Sequence, residues 1–165
     1  MRYSVALLVM LLIAACNQSP PLGPDAISKS SSAGGDQALQ LRIGDHGGRP
    51  LTTTMSGAEE APGPGDPDGT GTATITLNPG QSEVCFELAV ANIAPATAAH
   101  IHKAPEGVPG PVVVGLTPPT SGSSTGCVSA ARELISDIIQ TPSAYYINVH
   151  NADFPAGAVR GQLSK

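Results

Sequence analysis

Three of the four histidines in this 165-residue chain sit in two short alternating runs, His100-Ile101-His102 and Tyr146-Ile147-Asn148-Val149-His150. Residues two apart on a strand share a face. His100 and His102 therefore point one way with Ile101 opposite, while Tyr146, Asn148 and His150 turn away from Ile147 and Val149. If the two strands are neighbours, the three imidazoles lie on one side of the sheet, with cross-strand partners roughly 5 Å apart. One metal ion with bonds of about 2 Å to nitrogen is then within reach of all three. Imidazole suits copper and zinc, so His100, His102 and His150 are candidate ligands of either. In the competing reading the rings bond backbone or carboxylates and brace a loop. A three-histidine metal with an open position is also a plan for hydrolysis. Glu59, Glu60 and Asp153 are candidate bases if they fold close, but no residue is assigned a catalytic role. His46 lies ahead of the domain.

A second polar alternation, Arg160-Gly161-Gln162, is flanked by Val159 and Leu163. Arg160 and Gln162 share a polar face, and a buried arginine–carboxylate pair with Glu59 or Glu60 is its simplest structural role. Asn148 belongs to the same class of structural polar residues. Tyr145 and Tyr146 divide into one core ring and one surface ring. Gly65 to Gly71 reads as a flexible turn without the lysine and threonine of a phosphate loop.

The first fifteen residues have the form of a targeting segment, with a positive start at Arg2 and an apolar run from Val5 to Ala15. That run is shorter than the ~20 residues of a spanning helix. Its end, Ile13-Ala14-Ala15-Cys16, resembles a lipobox, in which Cys16 receives the lipid. The expected division is a signal peptide over 1–15, a lipid-anchored tether over 16–48 and one domain over 49–165. The tether is rich in Ser, Pro and Gly, most clearly from Ser28 to Gly35, and such composition buries too little surface to offset the entropy of ordering. The implied place is the bacterial cell envelope, anchored to membrane through Cys16. Asn17 rather than aspartate after the cysteine resembles sorting to the outer membrane, facing either the periplasm or the surface. With Cys16 so used, Cys85 and Cys127 remain as an even pair in an oxidising compartment. A disulfide between them closes a loop of about forty residues, worth on the order of 4 kcal/mol. The alternative is two unpaired thiols.

The elements that must position these groups are strands. Thr72 to Leu77 alternates, with Ala73, Ile75 and Leu77 on one face. Val84 to Val90 alternates again around Val84, Phe86, Leu88 and Val90. Asn78-Pro79-Gly80 joins them as a hairpin. Further strands are expected over Ala98–His102, Val112–Val114, Cys127–Ala130, Tyr145–His150 and Ala158–Leu163. Leu134, Ile135, Ile138 and Ile139 mark one face of a short helix stopped by Pro142. This is an all-β pattern, an antiparallel β-sandwich or small barrel of the immunoglobulin-like or superoxide-dismutase-like kind, with one short helix. A net charge of −5 argues against nucleic-acid binding. An aromatic content of 3% leaves little with which to stack on bases or sugars.

The ordered set of motifs resembles the CHRD (chordin-type) family. The segments that carry the resemblance are Leu51 to Pro62, Gly69-Thr70-Gly71-Thr72-Ala73, Ala99-His100-Ile101-His102-Lys103-Ala104-Pro105, Gly107 to Val113, Tyr145 to Asn151 and Phe154 to Leu163. Two positions depart from the pattern, Asn151 where threonine is frequent and Ala158-Val159 where an acidic residue often precedes the arginine. Neither touches the histidines. The resemblance implies an exported β-domain, and through chordin, an extracellular antagonist of growth-factor signalling, a metal-free protein-interaction module. The His-x-His pair is also similar to the strand ligands of copper-zinc superoxide dismutase. A binuclear centre of that kind needs more ligands than these motifs supply. The expected function is therefore a binding module that holds copper or zinc through three histidines. An interaction module with an unknown protein partner is the alternative, and a metalloenzyme ranks third.

Overall fold

The computed structural model describes residues 48–165. Cys16, His46, the signal segment and all but the last residue of the tether lie outside the described residues. Eight strands form one antiparallel sheet: β1 (Arg49–Ser56), β2 (Thr70–Asn78), β3 (Glu83–Ala91), β4 (Ala96–Lys103), β5 (Val112–Leu116), β6 (Ser123–Ser129), β7 (Tyr145–Asn151) and β8 (Val159–Gln162). Their order is β5-β4-β7-β8-β1-β2-β3-β6, and the sheet curls into a nearly closed barrel. The expected all-β fold with one short helix is thus present, as a single curled sheet.

Alternation explains the interior. Ala73, Ile75 and Leu77 on β2 meet Leu88, Phe86 and Val84 on β3 in direct register, and all six are buried. From the other half of the sheet Ile101, Ile147 and Val149 join them. Burying one such branched side chain contributes about 1.5–3 kcal/mol, so this row of contacts holds the halves of the sheet together. Helix α1 (Arg132–Gln140) places Ile135 and Ile138 into the same core. It ends at Thr141, whose backbone N–H reaches the Asp137 carbonyl, and Pro142 opens a separate single turn. Lys103 Nζ lies 2.7 Å from Asp137 Oδ2, and the Tyr145 hydroxyl donates to the same oxygen. These two donors hold the Asp137 carboxyl well below its ordinary range and tie the helix to β4 and β7.

Two features differ from expectation. The segment after β1 is pinned rather than flexible. Gly57 N–H donates to the Gly69 carbonyl, Gly65 N–H to the Gly57 carbonyl and Asp66 N–H to the Ala158 carbonyl. Both tyrosines are buried, Tyr145 completely and Tyr146 all but 3%. Tyr146 does stand on the outer face, but other side chains cover its ring.

Cys85 and Cys127 are direct partners on β3 and β6 and form a disulfide across the two strands. Cys85 falls between the inward Val84 and Phe86, so the bridge sits on the outer face. Cys127 is exposed there.

Candidate metal centre

Register decides whether the histidines meet. β4 and β7 are antiparallel neighbours, with His100 opposite Asn148, His102 opposite Tyr146 and Ala98 opposite His150. The three histidines therefore occupy successive rows on the outer face, while Ile101, Ile147 and Val149 point into the core. One ring nitrogen from each lies within 4.8 Å of the others. His100 Nδ1 and His150 Nε2 are 3.2 Å apart. That is close to the edge of about 3.3 Å in a tetrahedron with bonds of ~2.0 Å.

The second nitrogens fix the tautomers. His102 Nδ1 lies 2.9 Å from the Gly110 carbonyl, and His150 Nδ1 lies 3.0 Å from the Pro155 carbonyl. A carbonyl only accepts, so each Nδ1 carries the proton and each Nε2 keeps its lone pair. His102 Nε2 is buried and has no hydrogen-bond partner. An orphaned buried nitrogen of this kind costs on the order of 1–3 kcal/mol unless something satisfies it. Histidines that bind metals characteristically spend their other N–H this way. Because His150 Nε2 keeps its lone pair, His100 Nδ1–H donates to it. To ligate, His100 moves its proton to Nε2, with no net proton released.

All three rings have their proton affinity lowered. For His100 burial is the main cause, followed by the charges His150 and His102 would carry. For His102 burial outweighs the bond to Gly110, and Arg160 adds to the lowering. For His150 burial again leads against the bond to Pro155, with His102 contributing. The neutral, ligating forms are thus favoured at neutral pH.

A polar layer behind the rings sets their positions. The His102 ring stacks on Tyr146 with centroids 4.7 Å apart and planes 10° from parallel. The Arg160 guanidinium lies 3.5 Å from the centroid of the same tyrosine. Since β7 runs between β4 and β8, the histidine and the arginine take opposite faces of that ring. Arg160 donates to the carbonyls of Val108 and Pro105, Gln162 donates to those of Ala104 and Ser143, and Gly110 N–H donates to the Tyr146 hydroxyl. Together these bonds clamp the connection 104–111 between β4 and β5, which carries the Gly110 carbonyl against His102. The expected arginine–carboxylate pair is not what forms. Arg160 spends its hydrogen bonds on those carbonyls and on Gln162 Oε1. The carboxylate is engaged elsewhere, as Asn148 Nδ2 donates to Glu60 Oε1 at 2.6 Å.

Burial raises the Glu60 carboxyl from 4.5 to about 7, against lowering by Arg160 and by bonds from Ala61 and Asn148. A folded-state value above the unfolded one means that ionisation opposes folding. The favourable contribution is complete below pH 4.5 and is lost as pH rises through about 7. Glu60→Gln keeps an acceptor for Asn148 and removes that titration. Denaturant midpoints measured between pH 5 and 8 should fall with pH in the wild type and stay flatter in the variant; parallel profiles would refute this assignment.

Sequence reasoning did not foresee the bond between Glu60 and Asn148, 88 residues apart. It also missed the two buttressing carbonyls, which belong to residues without functional side chains. Of the three candidate bases, Glu60 reaches the polar face through Asn148, whereas Glu59 lines a separate groove of about 570 Å³ with Glu106 and Thr52, Thr54, Thr72 and Thr74. None of the three histidines lines that groove. Asp153 is exposed on the β7–β8 connection.

A family model described as the CHRD domain matches residues 51–163. No curated protein and no solved structure matches the chain.

Proposed function

Since this chain belongs to the CHRD domain family, we propose that its barrel is a binding module of the cell envelope that holds a copper or zinc ion through His100, His102 and His150. The observation that carries the reading is the convergence of three ring nitrogens on one face, with the buried His102 Nε2 lacking any partner. Two of the rings are set in the ligating tautomer by backbone carbonyls, so little reorganisation opposes binding. The test is metal analysis of the purified protein after incubation with copper or zinc and removal of loosely held ion. One ion per chain is expected for the wild type, and none for His102→Ala. Equal metal content in the two proteins would end the proposal.

A second reading has one observation in its favour. Val108 and Val112, 46% and 52% exposed, project from the clamped connection and the start of β5. An apolar tip on a rigid loop suits a protein partner, in a module that needs no metal. A metalloenzyme ranks behind both, because Glu60 Oε1 already accepts from Asn148 and no base is assigned.

The place of action follows from the lipobox-like end of the apolar N-terminal run. Lipid on Cys16 would tether the domain to a bacterial membrane, with the outer membrane as the proposed site. Cys16→Ala should move the protein from the membrane to the soluble fraction on cell lysis. Unchanged membrane retention would count against lipidation.

A further inference from the structure

The charge of the surroundings and the direction of the donors separate the candidate ions, and the argument rests on the metal reading above. All three donors are imidazoles that bind as neutral ligands. Their outer contacts are neutral too, since His102 and His150 bond to backbone carbonyls where many metal-bound histidines bond to carboxylates. Among the described residues, no carboxylate oxygen joins the cluster of three nitrogens. The charged group that acts on His102 through this network is a cation: the Arg160 guanidinium, one tyrosine ring away. Glu60, the buried carboxyl on this face, is engaged by Asn148.

A divalent ion seated here keeps its full double charge in a half-buried site beside a guanidinium. Coulomb energy scales with that charge, and the low-dielectric surroundings enlarge the difference between one charge and two. Geometry separates the two copper states, while zinc(II) is set apart by its charge alone. Three nitrogens rising from one face of a curved sheet cap an ion from one side, whereas copper(II) prefers a tetragonal plane of donors. Copper(I) has a filled d shell, carries a single charge and accepts three-coordination by neutral nitrogen.

We infer that His100, His102 and His150 form a three-coordinate site selective for copper(I) over zinc(II) and copper(II). The test uses the full chain, purified in detergent and loaded anaerobically under ascorbate with one equivalent of copper(I). It is then challenged with about a hundredfold excess of zinc(II), a window of two decades in affinity. Copper(I) should remain at one ion per chain, and X-ray absorption should show three nitrogen neighbours. Air oxidation should then loosen the ion, so that a copper(II) chelator removes it faster than a matched copper(I) chelator removes the reduced ion. Replacement of copper(I) by zinc(II), or tighter retention after oxidation, would overturn this inference and leave the metal site standing. Failure of the wild type to hold any of the three ions, or equal retention by His102→Ala, would instead overturn the metal reading.

Discussion

Replacing Arg160 with alanine is expected to lower the free energy of unfolding by about 3–5 kcal/mol, the range for breaking a buried charged network. Arg160 is 1% exposed, and it ranks among the largest fully buried side chains. Its guanidinium satisfies the carbonyls of Val108 and Pro105 at 3.0 and 2.9 Å and covers Tyr146. Alanine leaves those carbonyls without their donor, opens a cavity and removes a cation–π contact worth up to about 2 kcal/mol when desolvated. Since small domains are stable by only about 5–15 kcal/mol, the loss is a large share of the total. The damage should be local first. Amide exchange across 104–111 should accelerate more than exchange in β2 and β3, because the clamp on that connection is what is removed. The Gly110 carbonyl would then hold His102 less firmly, and under the proposed metal reading affinity should drop by about 10–100-fold, the usual effect of losing a supporting partner of a metal-bound histidine. Lysine carries the charge but cannot bridge two carbonyls with a planar fork, so Arg160→Lys should fall between. A loss under about 1 kcal/mol in denaturant titration of Arg160→Ala would show that the network is not structural.

Loss of the disulfide is the second large effect. Reduction of Cys85–Cys127, or the double change Cys85→Ala with Cys127→Ala, is expected to cost about 2–5 kcal/mol. The bridge spans 42 residues of sequence. Its local setting argues for the upper part of that range. β6 pairs with β3, and its residues alternate between exposed and half-buried, so little apolar burial holds it in place. The bridge therefore pins a weakly buried strand at the end of the sheet. Because Cys127 is exposed on the outer face, a thiol reductant should reach the bond without prior unfolding. Denaturant midpoints measured with and without reductant should differ strongly for the wild type and coincide for the double variant. A wild-type midpoint that ignores reductant, with reduction confirmed by thiol labelling, would contradict this account.

The parts of the fold that could be read from the sequence are those where side-chain period reports burial directly. Thr72 to Leu77 and Val84 to Val90 alternate because one face of each meets the core. Their pairing through Asn78-Pro79-Gly80 is local, so composition and turn chemistry were sufficient. The helix from Arg132 to Gln140 showed itself by the shift of its apolar positions to helical spacing. The sidedness of His100, His102 and His150 came from the same rule, for alternation around Ile101, Ile147 and Val149 leaves the imidazoles one direction to point.

Alternation also misjudged Tyr146, and the reason is instructive. Period two says which face a residue occupies, not whether that face is wet. The outer face of β4, β7 and β8 is covered by the connection 104–111 and by the Arg160 side chain, so a residue on the outside is nevertheless buried. Charge alone pairs Arg160 with Glu59 or Glu60, yet the guanidinium found carbonyls and the Glu60 carboxyl found an amide. Hydrogen-bond geometry in a crowded layer decides such partners, and sequence carries little information on it.

By itself, the sequence determined seven of the eight strands (all but β1), the inward and outward sides of the alternating ones, the family and the three histidines of the cluster. Each of these depends on residue type and on spacing within a few positions. Only the tertiary structure decided that β4 and β7 are neighbours in a register that draws the rings together. It alone supplied the carbonyls of Gly110 and Pro155 that fix two tautomers, and the guanidinium that stands one tyrosine ring from His102. Those facts join residues tens of positions apart, and they arise from packing that no local pattern encodes.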